Sequence, residues 1–370
     1  MAADFLTQVS QMSWASPSSG SDVKLGVTVH DISWGINKFN PVTNPGFFGQ
    51  FQPDVNRIGS QWVEMGFMSE LRGTGDPYVT SPANLYDRPP EATLLLAMGF
   101  GETVLVDGSS FAQDDLHLTT DTVHGSGTLT PLDILLNVDS YYRGMRNGVG
   151  TAVITFEAEA GPPTMVNTFR GEFYQDQTSP TPVDFKYPQT TLPTDWGAIT
   201  TFRGPQPQTA LAESLTLQVI PNDGVYTPVT IGGVSLMMSQ YDLGNVIAPV
   251  KNVGATYGWD QTLLGRRVPD ITLQIKVLDP GASQSQAIVP TTSRFNPEAS
   301  ADRRDLISTV LVHGSGTGNI ITQSFDMYIS DIIDYADDGN GVFIYTLKGQ
   351  QAIFDPNGTT SSQAYKLAFT

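Results

Sequence analysis

The chain has 370 residues, no cysteine and a formal net charge of −18, which excludes disulfides, thiolate metal sites and a thiol nucleophile, and sets the field of the whole protein against tight binding of phosphates. A hydrophobic fraction of 39% supports a sizeable core, and short alternating runs of Val, Ile, Thr, Phe and Tyr between 36 glycines and 25 prolines indicate a β-dominated fold. The start, M-A-A-D-F-L-T-Q-V-S, lacks a basic stretch followed by an apolar one, and no run reaches membrane-spanning length, so the expectation is a soluble product made in a cytosol, with no membrane partner.

In chain order, Asp22 to Asp31 alternates Val23, Leu25, Val27 and Val29 with polar or small residues and predicts a strand. The stretch 37–53 that follows carries three prolines together with Phe47, Phe48 and Phe51. It is either a packed surface loop or an arm that buries these aromatics on a neighbouring copy, because exposed apolar clusters mark contacts. Trp62 to Met68 is a second strand. Pro89 and Pro90 then open a short helix that Gly99 ends, and Leu94, Leu95, Leu96 and Met98 require cover on more than one side of it.

Asp114, Asp115, His117 and His124 invite a metal reading, but their spacing matches no zinc signature, and they are read as solvated loop residues. From Arg143 to Tyr174 the pattern is a long β-hairpin. Ala152, Ile154, Phe156, Ala158 and Ala160 form one face, Thr151, Val153, Thr155, Glu157 and Glu159 the other, and Gly161-Pro162-Pro163 break the run. Glu157 and Glu159 would also suit a glycosidase-like acid pair; a polar strand face turned to solvent or to a lumen is the simpler account, since nothing else converges on them.

Six prolines between Gln177 and Thr209 predict an extended connection and a domain boundary near residue 200, giving domains 1–200 and 201–370. The second half continues with strands at Ser214 to Ile220, Val234 to Tyr241 and Gly265 to Val277. Asn296 and Pro297 signal a helix start, with Leu306, Ile307, Val310 and Leu311 as its buried stripe and Gly314 as its stop. A second hairpin places Ile321, Gln323, Phe325, Met327 and Ile329 on one face and turns at Asp337-Asp338-Gly339-Asn340-Gly341, a turn signal and not a calcium loop, because the later bidentate Glu is missing. The halves thus share an order of parts, with little residue identity. G-S-G-T at 125–128 and G-S-G-T-G at 314–318 lack the Lys of a phosphate loop, and no nucleophile motif is present; no catalytic residue, metal or cofactor is expected.

Four ordered stretches carry a family likeness: G-T-G-D-P followed by P-P-E-A-T-L-L-L-A-M-G; the hairpin G-T-A-V-I-T-F-E-A-E-A-G-P-P-T-M-V-N-T-F-R-G-E-F-Y; Y-D-L-G-N-V; and R-R-V-P-D-I-T-L-Q-I. With them the chain resembles the tail tube proteins (major tail proteins) of long-tailed, non-contractile bacteriophages, over roughly residues 71–277. The resemblance implies two tandem β-sandwich or barrel-like domains, each flanked by one short helix, in a structural virion protein that is not an enzyme. It implies stacked rings whose inner sheets form a channel for double-stranded DNA that passes without tight binding. Three chains would make a pseudo-six-fold ring if both halves are tube-like; otherwise six would be needed. Tape measure, tail terminator and distal tail proteins are the implied partners. Glu157 and Glu159 become candidate lumen residues, and Phe47, Phe48 and Phe51 candidate contacts between subunits. A head-tail connector or decoration protein is the alternative within the virion, a glycan-binding β-sandwich the alternative outside it.

Overall fold

The computed structural model describes residues 10–15, 26–37, 62–71, 90–107, 111–118, 131–138, 141–158, 161–176, 181, 183–185, 189–192, 196, 202–203, 213–250, 261–277, 297–314, 320–337, 343–352 and 365–369. The fold is mainly β. In chain order the elements are β1 Ser10–Ala15, β2 Gly26–Asn37, β3 Trp62–Glu70, α1 Pro90–Leu96, β4 Phe100–Asp107, β5 Phe111–Leu118, β6 Leu132–Val138, β7 Tyr141–Glu157, β8 Thr164–Phe173, β9 Gln175–Asp176, β10 Val183–Asp184 and β11 Phe202–Arg203. They continue with β12 Glu213–Ile220, β13 Val229–Ile231, β14 Val234–Asp242, β15 Asn245–Val250, β16 Gln261–Arg267, β17 Asp270–Val277, α2 Pro297–Arg303, β18 Leu306–His313, β19 Ile321–Asp337, β20 Phe343–Gln351 and β21 Tyr365–Phe369. Among the described residues seventeen strands join in one network, with β9–β10 and β15–β16 as separate pairs.

The first hairpin forms as its pattern requires: β7 and β8 pair with Ile154 opposite Met165 and Thr155 opposite Thr164. β7 pairs with β6 through its first part and with β14 through its last. At the end of the β6-paired part Asn147 adopts a φ of 51° and the β7–β8 register shifts between Arg146 and Val149, a bulge that precedes the part paired with β14.

One pairing scheme runs twice along the chain. In the first half, β1 pairs with β6, β6 with β7, β7 with β8, β8 with β3 and β3 with β2. In the second half, β12 pairs with β18, β18 with β19, β19 with β20, β20 with β17 and β17 with β14. The two schemes match element for element in sequence order. Both β7 and β19 have 17 residues, and α1 and α2 each have 7, begin Pro-Glu-Ala, and start 20 residues after the end of the preceding described strand, Glu70 or Val277. The halves also share one sheet and one core: β14 pairs with β7, β21 with β5, and Phe156, Tyr241, Ile271 and Leu347 belong to a single buried cluster.

Three expectations change. The stripe Leu306, Ile307, Val310 and Leu311 is not helical: α2 ends at Arg303, Arg304 takes a φ of 56°, and β18 begins at Leu306. Buried Asp305 accepts from the guanidinium of Arg303 and the amide of Asn222, fixing this exit, and β-branched residues dominate the run from Ile307 to Val312, where extended backbone suits them. Asp114, Asp115 and His117 lie in β5, paired with β21, and not in a loop; His124 lies outside the described residues. Finally, described parts of the Pro-rich stretch fold back on the hairpin instead of running free. Phe185 and Trp196 are buried with Leu135 and Tyr174, and Gln189 exchanges both backbone hydrogen bonds with Tyr142.

Candidate functional site

Strand polarity converts this topology into a two-faced surface. Glu70, Thr164, Thr155, Gln240, Thr272, Lys348 and Asp331 stand side by side across β3, β8, β7, β14, β17, β20 and β19. All seven are polar and at least partly exposed. The adjacent row, Ser69, Met165, Ile154, Tyr241, Ile271, Gly349 and Ile329, is buried throughout. A slip of one residue on any strand would exchange the faces, so burial of the apolar row fixes the register of the polar one.

The wet face carries more acid than base. Its described acidic side chains include Glu64, Glu70, Glu157, Asp242, Asp270 and Asp331, against Arg170, Lys276 and Lys348. Arg170 bonds Glu64 at 2.9 Å and Lys348 bonds Asp270 at 3.0 Å, both in half-exposed positions. Each such pair adds at most about 1 kcal/mol to stability. Their larger effect is local neutralisation of cations that would otherwise face solvent. Glu157 is exposed at the end of β7, opposite Met238. Glu159 lies outside the described residues, and so do Phe47, Phe48 and Phe51.

Beneath this face each half holds a buried amide. Asn167 Nδ2 donates to Ser69 Oγ at 3.1 Å and to the Met165 carbonyl at 3.0 Å. Ser239 Oγ donates to Gln323 Oε1 at 3.0 Å, and Gln323 Nε2 to Tyr365 Oη at 2.9 Å. The ring of Tyr365 lies 4.0 Å from that of Tyr241, and burial raises both phenols well above the ordinary tyrosine value. Both tyrosines therefore stay neutral across the physiological range.

Described parts of the four motifs of the family likeness meet at one place. Asn245, in Y-D-L-G-N-V, donates from Nδ2 to the carbonyls of Met98 and Gly150, both at 3.0 Å, and its amide bonds Thr151 Oγ1 at 3.2 Å. Arg267, in R-R-V-P-D-I, donates from Nε to Asn245 Oδ1 at 2.9 Å and from Nη2 to the carbonyls of Met98 and Gly99 at 2.9 and 2.7 Å. The helix end, the hairpin, the turn and the strand are thereby tied by one amide and one guanidinium. Burial pulls the Arg267 guanidinium down to about 10, still cationic at neutral pH. The turn itself demands glycine. Gly244 has a φ of 56°, and a Cβ there would strike the Val268 carbonyl.

Sequence reading had no role for Asn245 or Arg267, although it singled out both motifs. Apart from each other, their partners stand 94 to 169 residues away, and no local spacing signals that. Among the described residues no group of three or more His, Asp or Glu is placed to hold a metal, and no helix is long and apolar enough to cross a membrane. No protein-family model matches the chain, and no curated protein matches it in sequence.

Proposed function

We propose that this chain is a tail-tube subunit: a structural virion protein that closes into rings with other copies of itself and lines a conduit for double-stranded DNA. The observation that carries the reading is the polar row, which runs without interruption from β3 of one half to β19 of the other. A wall with one wet and one buried face suits a water-filled lumen, and closing it removes exposed sheet edges. The acidic excess suits passage of DNA without retention. At physiological salt that repulsion reaches only about 8 Å, so it acts on phosphates close to the wall.

The repeated pairing scheme supports the finer reading of two tandem tube-like domains, dividing near residue 200. It also supports a rule for closure. Within one chain the end of β7 joins β14. By correspondence the end of β19 joins β2 of the next copy. Among the described residues, the side of β19 away from β20 carries no strand beyond Tyr328, and β2 from His30 onward pairs only with β3. Each copy then contributes eight strands, β2-β3-β8-β7-β14-β17-β20-β19. Three copies give about 24 strands at about 4.8 Å spacing, or roughly 40–50 Å between opposite backbones after strand tilt, wide enough for a hydrated duplex. Two copies would leave far less room once side chains fill the wall.

Electron microscopy and native mass measurement of the assembled protein test the reading. Rings of three chains are the expected result. Rings of six chains would reject the two-domain closure, and dispersed monomers at high concentration, even with tail initiators present, would reject the function.

A further inference from the structure

Between α2, β19 and the 221–226 turn lies a cleft of about 870 Å³, walled by Ile220, Tyr226, Ala301, Leu306, Tyr328 and Ile329, with Asn222, Asp302, Arg304, Ser330 and Gln350 as its polar lining. Its place in the second half has a counterpart in the first. The β7–β8 register shifts between Arg146 and Val149 and the β19–β20 register between Ile329 and Asp331, so the bulge that precedes Val149 corresponds to the bulge at Ser330, on the margin of the cleft. The end of α1 corresponds to the end of α2 in the same scheme.

In the first half this position is covered. The β15–β16 hairpin lies on it: Ile247 and Leu264 pack on Val149, Asn245 bonds the Gly150 carbonyl, and Arg267 bonds the carbonyls that end α1. That hairpin comes from the other half of the chain, from the segment 243–269 that links β14 to β17. The corresponding link between β2 and β3 is 38–61, a segment of similar length that contains Phe47, Phe48 and Phe51. Its Asn40 follows the end of β2 by three residues, as Asn245 follows the end of β14.

We infer that the cleft receives residues 38–61 of a neighbouring copy, with the phenylalanines seated against Tyr226, Tyr328 and Ile329. The inference rests on the ring reading, because β2 and β19 stand at opposite ends of the eight-strand order, and only closure with a second copy brings a β2–β3 link to this cleft. The lining fits the occupant. Two tyrosine rings and four aliphatic side chains offer the surface on which phenylalanines bury well, and aromatic pairs add about 0.5–1.5 kcal/mol beyond area burial. The segment is thereby assigned to an interface and not to a loop packed on its own domain.

The test replaces Gln350, an exposed residue at the cleft margin, by the photo-crosslinker p-benzoylphenylalanine in full-length protein, mixing heavy- and light-isotope copies before assembly and irradiation. Mass spectrometry should find crosslinks into 38–61, joining heavy to light copies. The triple variant Phe47→Ser, Phe48→Ser and Phe51→Ser should lower that yield at least about tenfold, and the far-ultraviolet circular dichroism of the unassembled variant checks that it still folds. Crosslinks to any other segment, or only within one copy, overturn the inference. Microscopy of the same samples separates the two readings: rings with crosslinks elsewhere reject the cleft assignment alone, whereas neither rings nor crosslinks between copies reject both.

Discussion

Arg267 donates to Asn245 Oδ1 at 2.9 Å while the same guanidinium holds the carbonyls of Met98 and Gly99, so one side chain ends helix α1 and fixes the turn between β14 and β15. Carbonyls at a helix C-terminus lack intrahelical donors, and a cation is favoured there by both hydrogen bonding and the helix dipole.

Replacing Arg267 by Met should therefore cost about 3 kcal/mol, because three acceptors lose a charged donor in a partly buried site. Arg267→Lys should recover less than half of that, since a single ammonium cannot reproduce the forked geometry. Urea unfolding measures both. A double-mutant cycle with Asn245→Ala should show coupling above about 0.5 kcal/mol, as expected for side chains in one network; additive losses would mean that the two act separately.

Gly244→Ala should also destabilise, by more than the roughly 1–2 kcal/mol of a left-handed conformation alone, because the new methyl would strike the Val268 carbonyl and backbone must move. Gly161→Ala is the control: its φ is 106°, but no atom lies within 4 Å of the added Cβ, so its cost should be conformational only. Thermal melts compare the two, and equal losses would remove the steric argument at Gly244.

How much of this was legible in the sequence follows the range of the interactions. Alternation of Ala152, Ile154 and Phe156 with Thr151, Val153 and Thr155 gave strand, face and hairpin, since that signal is local. The 306–313 run was read as a helix because Leu306, Ile307, Val310 and Leu311 satisfy helical spacing. Its burial instead follows a two-residue period from Ile307 onward, and the exit that permits it depends on Asp305 meeting Asn222, 83 residues away. The polar row could not be read either: Thr155 and Gln240 become neighbours only when β7 and β14 pair. Glu157 is exposed at the end of the strand whose alternation is legible, while the match between the bulges of β7 and β19 needed both registers before the cleft had any meaning.

Alkaline conditions should unfold the protein through its core tyrosines. Tyr241 and Tyr365 have folded-state values raised by burial, so their contribution to stability is complete below the ordinary value of about 10 and is lost as pH rises through that value toward the folded one. Arg267 acts in the opposite sense. Its lowered value means that the cost of burying its charge is relieved between about 10 and the ordinary arginine value. Two phenols outweigh one guanidinium, so net stability should fall above about pH 10. Denaturant titrations at stepped pH give the slope, and Tyr365→Phe should flatten it; an unchanged slope would show that other groups control the transition.

The wet face should tolerate charge reversal as a fold but not as a conduit. Glu157 is exposed at the strand end, so Glu157→Lys combined with Glu159→Lys should leave thermal stability and ring assembly close to wild type, within the roughly 0.5 kcal/mol typical of surface changes. Each copy, however, would gain four units of positive charge across two positions on the proposed lumen side. Every phosphate held by a lysine adds counterion release to binding, and retention should therefore weaken steeply as salt is raised. The expected phenotype is assembled particles of normal length whose DNA release is slowed or arrested at low salt and recovers as ionic strength increases. Plaque counts and in vitro ejection measured across salt concentrations make the comparison. Wild-type ejection by the double variant at every salt concentration would place these two side chains away from the path of the DNA and leave the lumen assignment to the Thr155–Gln240 row alone.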